Sequence, residues 1–118
     1  MSGRSHHGSL VQLLLLRILY LSPMHGYKLL GEVNALMAGR RPMKTGSLYT
    51  ILRRMEKAGL LESEWDEEPS RLDRRIYKPS NEGVEMLKDG RKRVEEQKRA
   101  LDEMIVFYNE HFREDLNS

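Results

Sequence analysis

The hydrophobic period changes at Ala58-Gly59, and few folds accommodate that change. Upstream, Leu48, Ile51, Leu52 and Met55 recur at i, i+3, i+4 and i+7, the stripe of a helix buried along one side. Downstream, "LLESEWD" alternates, placing Leu61, Ser63 and Trp65 on one face and Glu62, Glu64 and Asp66 on the other. "RRIYKP" alternates again, with Ile76 on one face and Arg75 and Tyr77 on the opposite one. Between the two runs, "EEPSRLD" supplies a polar turn. The expectation is a helix from about Thr45, ended by Gly59 in a left-handed cap, followed by a hairpin with a long basic connection. Trp65 and Tyr77 read as core or wing-base residues.

The flanking segments complete the order of elements. Ser9 can cap a first helix, roughly Leu10 to Leu21, which ends at Ser22-Pro23. That helix is apolar on most sides, so it is either central in its own domain or covered by a second chain. It is too short to span a bilayer, and Gln12 and Arg17 interrupt it. No small-residue cleavage site follows it, which argues against a signal peptide. A second helix runs from Gly26 or Tyr27 to Met37, and small polar residues near Thr45 are expected to satisfy the free N–H groups of the third. Ser80 caps a last helix reaching to about Glu114, which at 1.5 Å per residue would be about 50 Å long. Val84, Leu87, Val94, Leu101, Ile105, Tyr108 and Phe112 share one seam of it, with Arg91 and Lys98 in the remaining positions. Gly90 weakens its middle by about 1 kcal/mol, and a bend or break there is the alternative. The fold class is therefore mainly α with a small β-hairpin: a winged helix-turn-helix over residues 9–79, a mobile tail over 1–8, and a long C-terminal helix over 80–118 suited to dimerisation.

Charge locates the working face. The chain carries a net +2, but residues 40–58 hold six positive charges against one negative. A face built for phosphate requires such a concentration, although a solvated helix would also show it. Helix-turn-helix proteins read base edges with the N-terminal half of the second helix of the motif. Here that segment carries Lys44, Thr45, Ser47, Tyr49, Thr50, Arg53 and Arg54. Hydroxyls can bond phosphate or base edges, Arg can hold guanine bidentately, and the helix N-terminus itself favours a phosphate. Tyr49 has an alternative role in packing, and one of Arg53 and Arg54 can instead face Glu56. Arg71, Arg74 and Arg75 would let the wing follow the DNA backbone, or would pair with Glu67, Glu68 and Asp73 beside them.

Other chemistry is poorly supplied. The chain has no Cys, which removes disulfides, thiolate metal sites and a cysteine nucleophile. It has no Gly-rich phosphate loop and no convincing His–carboxylate arrangement, and His6, His7 and His111 lack ligand spacing. No enzyme activity, metal, cofactor or membrane association is expected.

Three stretches, "HGYKLL" (His25 to Leu30), "GSLYTILRRMEKAGLLESE" (Gly46 to Glu64) and "RRIYKPSNEGVEML" (Arg74 to Leu87), together resemble the PadR family of transcriptional regulators in its short form with a single C-terminal helix. The chain departs from the usual pattern at Lys44-Thr45, where Ser-Pro is common, at Ser47 and Thr50, and at Pro79. The resemblance implies a cytoplasmic, homodimeric DNA-binding regulator, a repressor acting at an inverted-repeat operator. It also implies a dimer interface in which the first and last helices of two chains meet, through Leu14, Ile18, Leu101, Met104, Ile105, Tyr108 and Phe112. A small aromatic or hydrophobic effector would bind near Tyr20, Met104, Phe107 and Tyr108, unless that surface is a closed interface. The competing reading is a winged-helix module that binds another protein without operator recognition.

Overall fold

Helix α1 (Leu10–Leu21) has no polar side broad enough to face water, and it sits at the centre of the molecule. The computed structural model describes residues 8–37, 41–66 and 75–113. Around α1 are strand β1 (Met24–His25), helices α2 (Gly26–Leu36) and α3 (Thr45–Lys57), strands β2 (Leu61–Trp65) and β3 (Arg75–Pro79), and helices α4 (Asn81–Asp89) and α5 (Arg91–His111). A reciprocal cap starts α1: Ser9 Oγ accepts from the Gln12 N–H at 3.1 Å, and Gln12 Oε1 accepts from the Ser9 N–H at 3.0 Å. Leu15, Leu16 and Leu19 are completely buried, as are Leu29 and Val33 of α2 and Leu48 and Leu52 of α3. The recurrence of Leu48, Ile51, Leu52 and Met55 is thus a docking stripe, although Ile51 is only half-buried.

The sheet contains one strand more than the expected hairpin. It has three strands, in the order β1-β3-β2, all antiparallel. Met24 and His25 pair with Tyr77 and Ile76, a strand too short to show any periodicity in sequence. The buried face is the one carrying Arg75 and Tyr77, in keeping with the reading of Tyr77 as a core or wing-base residue. Tyr77, opposite Ser63, is only 2% exposed. Trp65 shares that face but lies beyond the core and is 67% exposed, so of its two expected places the core is excluded and it stands at the base of the wing, opposite Arg75. The strand outruns the helices that cover its first half.

Turns on either side of the sheet lock together. Gly59 ends α3 at φ +85°, the left-handed cap that the sequence requires. Ser80 Oγ donates to the Gly59 carbonyl at 2.5 Å and accepts from the Gly83 N–H at 3.0 Å, while the Ser80 N–H donates to the Leu60 carbonyl at 3.0 Å. Gly83 lies so close to this turn that a Cβ would strike the Leu60 carbonyl oxygen. At the other end of α3, Asn34 clamps the backbone of Met43 from α2. Its Oδ1 accepts from the Met43 N–H at 2.8 Å, and its Nδ2 donates to the Met43 carbonyl at 3.2 Å. This clamp spans the connection between the two helices.

The long last helix is divided. Gly90 has φ −73° and ψ −8°, and its N–H is shared between the carbonyls of Met86 (2.9 Å) and Leu87 (3.3 Å). Gly90 is buried because Leu13 of α1 packs there, and a Cβ would lie 2.6 Å from Leu13 Cδ2. The break is therefore a seat for α1, and α4 belongs to the core through Met86. Beyond it α5 has no buried residue. The radius of gyration is 17.5 Å, against about 13 Å for a compact chain of this size. The expected N-terminal tail, apart from Gly8, and the end of the last helix at Glu114 lie outside the described residues.

Two substitutions test these contacts. Gly83→Ala should lower the urea unfolding free energy by about 1–3 kcal/mol, the usual cost of forcing a methyl group into a packed site. Asn34→Ala should cost about 1–3 kcal/mol, because it leaves a part-buried N–H without its acceptor.

Candidate nucleic-acid interface

Since α3 docks through Leu48, Leu52 and Met55, its remaining side chains must point outward. Lys44, Thr45, Ser47, Arg53, Arg54 and Lys57 are exposed. The expectation of a side-chain cap at the start of α3 is corrected: Lys44 holds the N-cap position and makes no side-chain cap bond, and among the described residues no other side chain bonds the first N–H groups. Nor does the first turn contain an acidic residue. The helix thus begins with open donors beside a lysine, an arrangement that favours an anion. Arg54 and Lys57 occupy its last turn, where cations suit the helix dipole.

The hydroxyl and aromatic positions are more constrained. Thr50 is half-buried, and its Oγ1 donates back to the Gly46 carbonyl at 2.9 Å, leaving its lone pairs as acceptors. Tyr49 reaches α2, where a Cβ on Gly26 would lie 2.6 Å from its phenolic oxygen. The ring of Tyr49 fills the space that a side chain at Gly26 would take. Tyr49 therefore packs the motif together, the alternative already open for it.

The base of the wing is tied to α3. Ser63 Oγ donates to Glu56 Oε2 at 2.6 Å, and Arg75 Nη1 lies 3.9 Å from Glu56 Oε1. Glu56 thus serves the strands and does not pair with Arg53 or Arg54. The Arg75 guanidinium also sits over the Trp65 ring, 5.0 Å from its centre. His25 Nε2, at the start of α2, is 2.8 Å from Asp66 Oδ2 at the end of β2, a second tie between the motif and the wing. Neither the Asn34 clamp nor this pair was anticipated, since partners 9 and 41 residues apart leave no local pattern. Arg71 and Arg74 lie outside the described residues. On the outer face of the sheet, Lys78 lies 3.9 Å from both Glu62 and Glu64.

The residues assigned to dimerisation and effector binding separate into three places. Ile18 is 6% exposed within its own core, so its assignment to an interface is corrected: a neighbouring chain cannot reach it. Leu14 and Tyr20 line a groove of about 630 Å³ between α1 and the α4–α5 junction, with Leu13, Arg17, Leu87 and Val94. Met104, Phe107 and Tyr108 are absent from that lining, so one chain does not bring the four effector-pocket residues together. Leu101, Met104, Ile105, Tyr108 and Phe112 stand exposed along α5. Phe107 contacts Tyr108 and Phe112 edge-on and stacks on His111, with ring centres 4.7 Å apart. No helix among the described residues is long and apolar enough to cross a membrane.

Known proteins share this arrangement. Among solved structures the chain is similar to a candidate transcriptional regulator of Thermoplasma acidophilum, at 26% identity and a TM-score of 0.72 over 85% of this chain and 93% of that one. It is similar to a PadR family transcriptional regulator of Eggerthella lenta at 31% identity and a TM-score of 0.60, over 86% and 82% of the two chains. Bacillus subtilis PadR, solved in complex with operator DNA, shares the fold at 16% identity and a TM-score of 0.60, over 69% of this chain and 46% of that one. A comparison with curated proteins finds no match. The family model for PadR-like regulators matches residues 15–89, from α1 through α4. The chain belongs to the PadR-like family, whose members are transcriptional regulators and not enzymes.

Proposed function

We propose that this protein is a homodimeric, sequence-specific DNA-binding repressor that acts in the cytoplasm on an inverted-repeat operator. The observation that carries the reading is the outward face of α3, with open N–H donors at its start and exposed Lys44, Thr45, Ser47, Arg53 and Arg54 along it. Inserted into a major groove, Arg53 and Arg54 meet base edges, while Lys44 and the helix N-terminus hold the flanking phosphate. Thr50 Oγ1 accepts from an exocyclic amine on a base edge, and Tyr49 keeps α3 at its angle to α2. The wing, through Arg71, Arg74 and Arg75, lies along the adjacent backbone. Bacillus subtilis PadR binds operator DNA with this fold, which supports the same use here.

Helix α5 supports the presence of a second copy. Seven apolar or aromatic side chains between Leu101 and Phe112 are 44–58% exposed, more than a monomer in water retains without a partner. Pairing of two such helices, with Leu14 of α1 beside them, would present two α3 helices at a set separation. Spacing of one helical turn, about 34–36 Å, selects an inverted repeat, and occupancy of that site blocks polymerase. The groove beside Tyr20 would admit a small hydrophobic effector, with Met104, Phe107 and Tyr108 contributed by the second chain.

Footprinting across the DNA upstream of its own gene should reveal a protected inverted repeat at moderate salt, and uniform weak binding there would contradict the reading. Arg53→Ala should cost about 1–3 kcal/mol and relax base preference at one position per half-site. Lys44→Ala should instead weaken all sequences alike and lower the salt slope by about one. In sedimentation experiments the wild type should run as a dimer and Ile105→Arg as a folded monomer. A wild-type monomer at micromolar concentration would sink the operator geometry.

A further inference from the structure

His25 stands where three elements meet. Its backbone pairs with Ile76 as the last residue of β1, and it holds the N-cap position of α2. The next residue, Gly26, is the one against which Tyr49 of α3 packs. No cap bond engages the imidazole. It reaches instead across β3, where Nε2 lies 2.8 Å from Asp66 Oδ2, just beyond the end of β2. The contact passes over the half-buried Ile76, since His25, Ile76 and Glu64 stand opposite one another on one face of the sheet. Backbone pairing between β1 and β3 spans two residues. The side-chain bond therefore adds a link from the start of α2 to the far strand of the wing.

The state of this link depends on a proton. Histidine is the side chain whose charge ordinarily changes between about pH 5 and 8. Neutral His25 keeps the bond in the tautomer that carries its proton on Nε2, and the other tautomer sets lone pairs against the carboxylate. Charged His25 donates from Nε2 in every case, and an ion pair is added to the hydrogen bond. The Asp66 side chain is 22% exposed, so water screens the pair less than it would on an open surface. Among the described residues Asp66 is the ion-pair partner of His25, and Asp66 has a further contact that helps to hold it. The other charges nearby are differently engaged. Glu62 and Glu64 share the face from β2, with Lys78 of β3 lying 3.9 Å from both. Lys28 stands exposed one turn further along α2, and Arg75 is on the opposite face over Trp65.

We propose that His25 and Asp66 form a proton-dependent latch that positions the wing against the helix-turn-helix, so that protonation of His25 strengthens DNA binding. A wing already fixed loses less freedom when DNA engages it together with α3. The latch rests on the DNA-binding reading above, and His25 acts in it as a positioning residue that need not touch DNA. The test follows the anisotropy of a random-sequence fluorescein-labelled duplex titrated with the intact protein at constant ionic strength. The pH runs from about 6 to about 8, where carboxylates ordinarily stay ionised. Wild-type affinity should rise severalfold as the pH falls through this range and be lost again as it rises. His25→Gln keeps a side-chain donor but gains no proton, and its profile should be flat. Asp66→Asn should flatten the profile too, although its His25 still acquires a charge. That result separates the latch from simple attraction between a cationic imidazole and phosphate. His6, His7 and His111 remain in both variants, so a profile carried by them would survive the substitutions. Circular dichroism should show both variants folded. A flat wild-type profile, or one that either substitution leaves unchanged, overturns the latch and leaves the DNA-binding reading standing. No anisotropy rise at any pH overturns both.

Discussion

The burial of the Leu15, Leu16 and Leu19 side of α1 is the constraint on which the other elements depend. An apolar helix in water must be surrounded, and three fully buried leucines are satisfied by α2, α4 and β3 packed around it. Each fully buried leucine contributes about 1.5–3 kcal/mol relative to exposure, so small movements of these neighbours are opposed. Helix α3 buries Leu48, Leu52 and Met55 in its packing against α2 and β2, and its polar side is thereby turned to solvent. The exposed cationic side of α3, the surface proposed to meet DNA, is a consequence of how the core closes.

Polar ties then set the angle that burial leaves adjustable. Asn34 holds the approach to α3 through both backbone groups of Met43, and Tyr49 fills the crossing at Gly26. Glu56 binds the hairpin through Ser63, and Ser80 binds the turns that follow α3 and β3. A net hydrogen bond is worth only about 1 kcal/mol, so these contacts do little to make the domain fold. Their effect is geometric. They join both ends of α3 to neighbouring elements, and groove reading needs that helix and the wing to arrive together.

Helix α5 obeys a different logic. Without a core to lean on, its charged first half is supported locally, by Arg91–Glu95 at 3.0 Å and Lys98–Asp102 at 2.9 Å, each one turn apart. Such pairs contribute about 0.3–0.5 kcal/mol, enough to bias a helix but not to anchor it. The apolar second half concentrates four rings, Phe107, Tyr108, His111 and Phe112, at its far end. Gly90 separates the two regimes, because the close seat it makes for Leu13 is where the packed domain stops.

Much of this was legible in the chain itself. Local pattern determined the limits of α1 and α3, the caps at Ser9, Gly59 and Ser80, and the change of period that implies a hairpin, because each is a property of neighbouring residues. The basic character of the segment around α3 was equally visible in composition. Only the tertiary structure decided which face of the hairpin is buried, since alternation assigns two faces without naming the inner one. It placed Tyr77 inside, left Trp65 beyond the cover of the helices, and added β1, whose two residues carry no period. It also put Ile18 out of reach, turned Gly90 from a weak point into a seat, and joined Asn34 to Met43 and His25 to Asp66. These outcomes depend on which surfaces meet when the chain closes around α1, and one-dimensional periodicity does not contain that information.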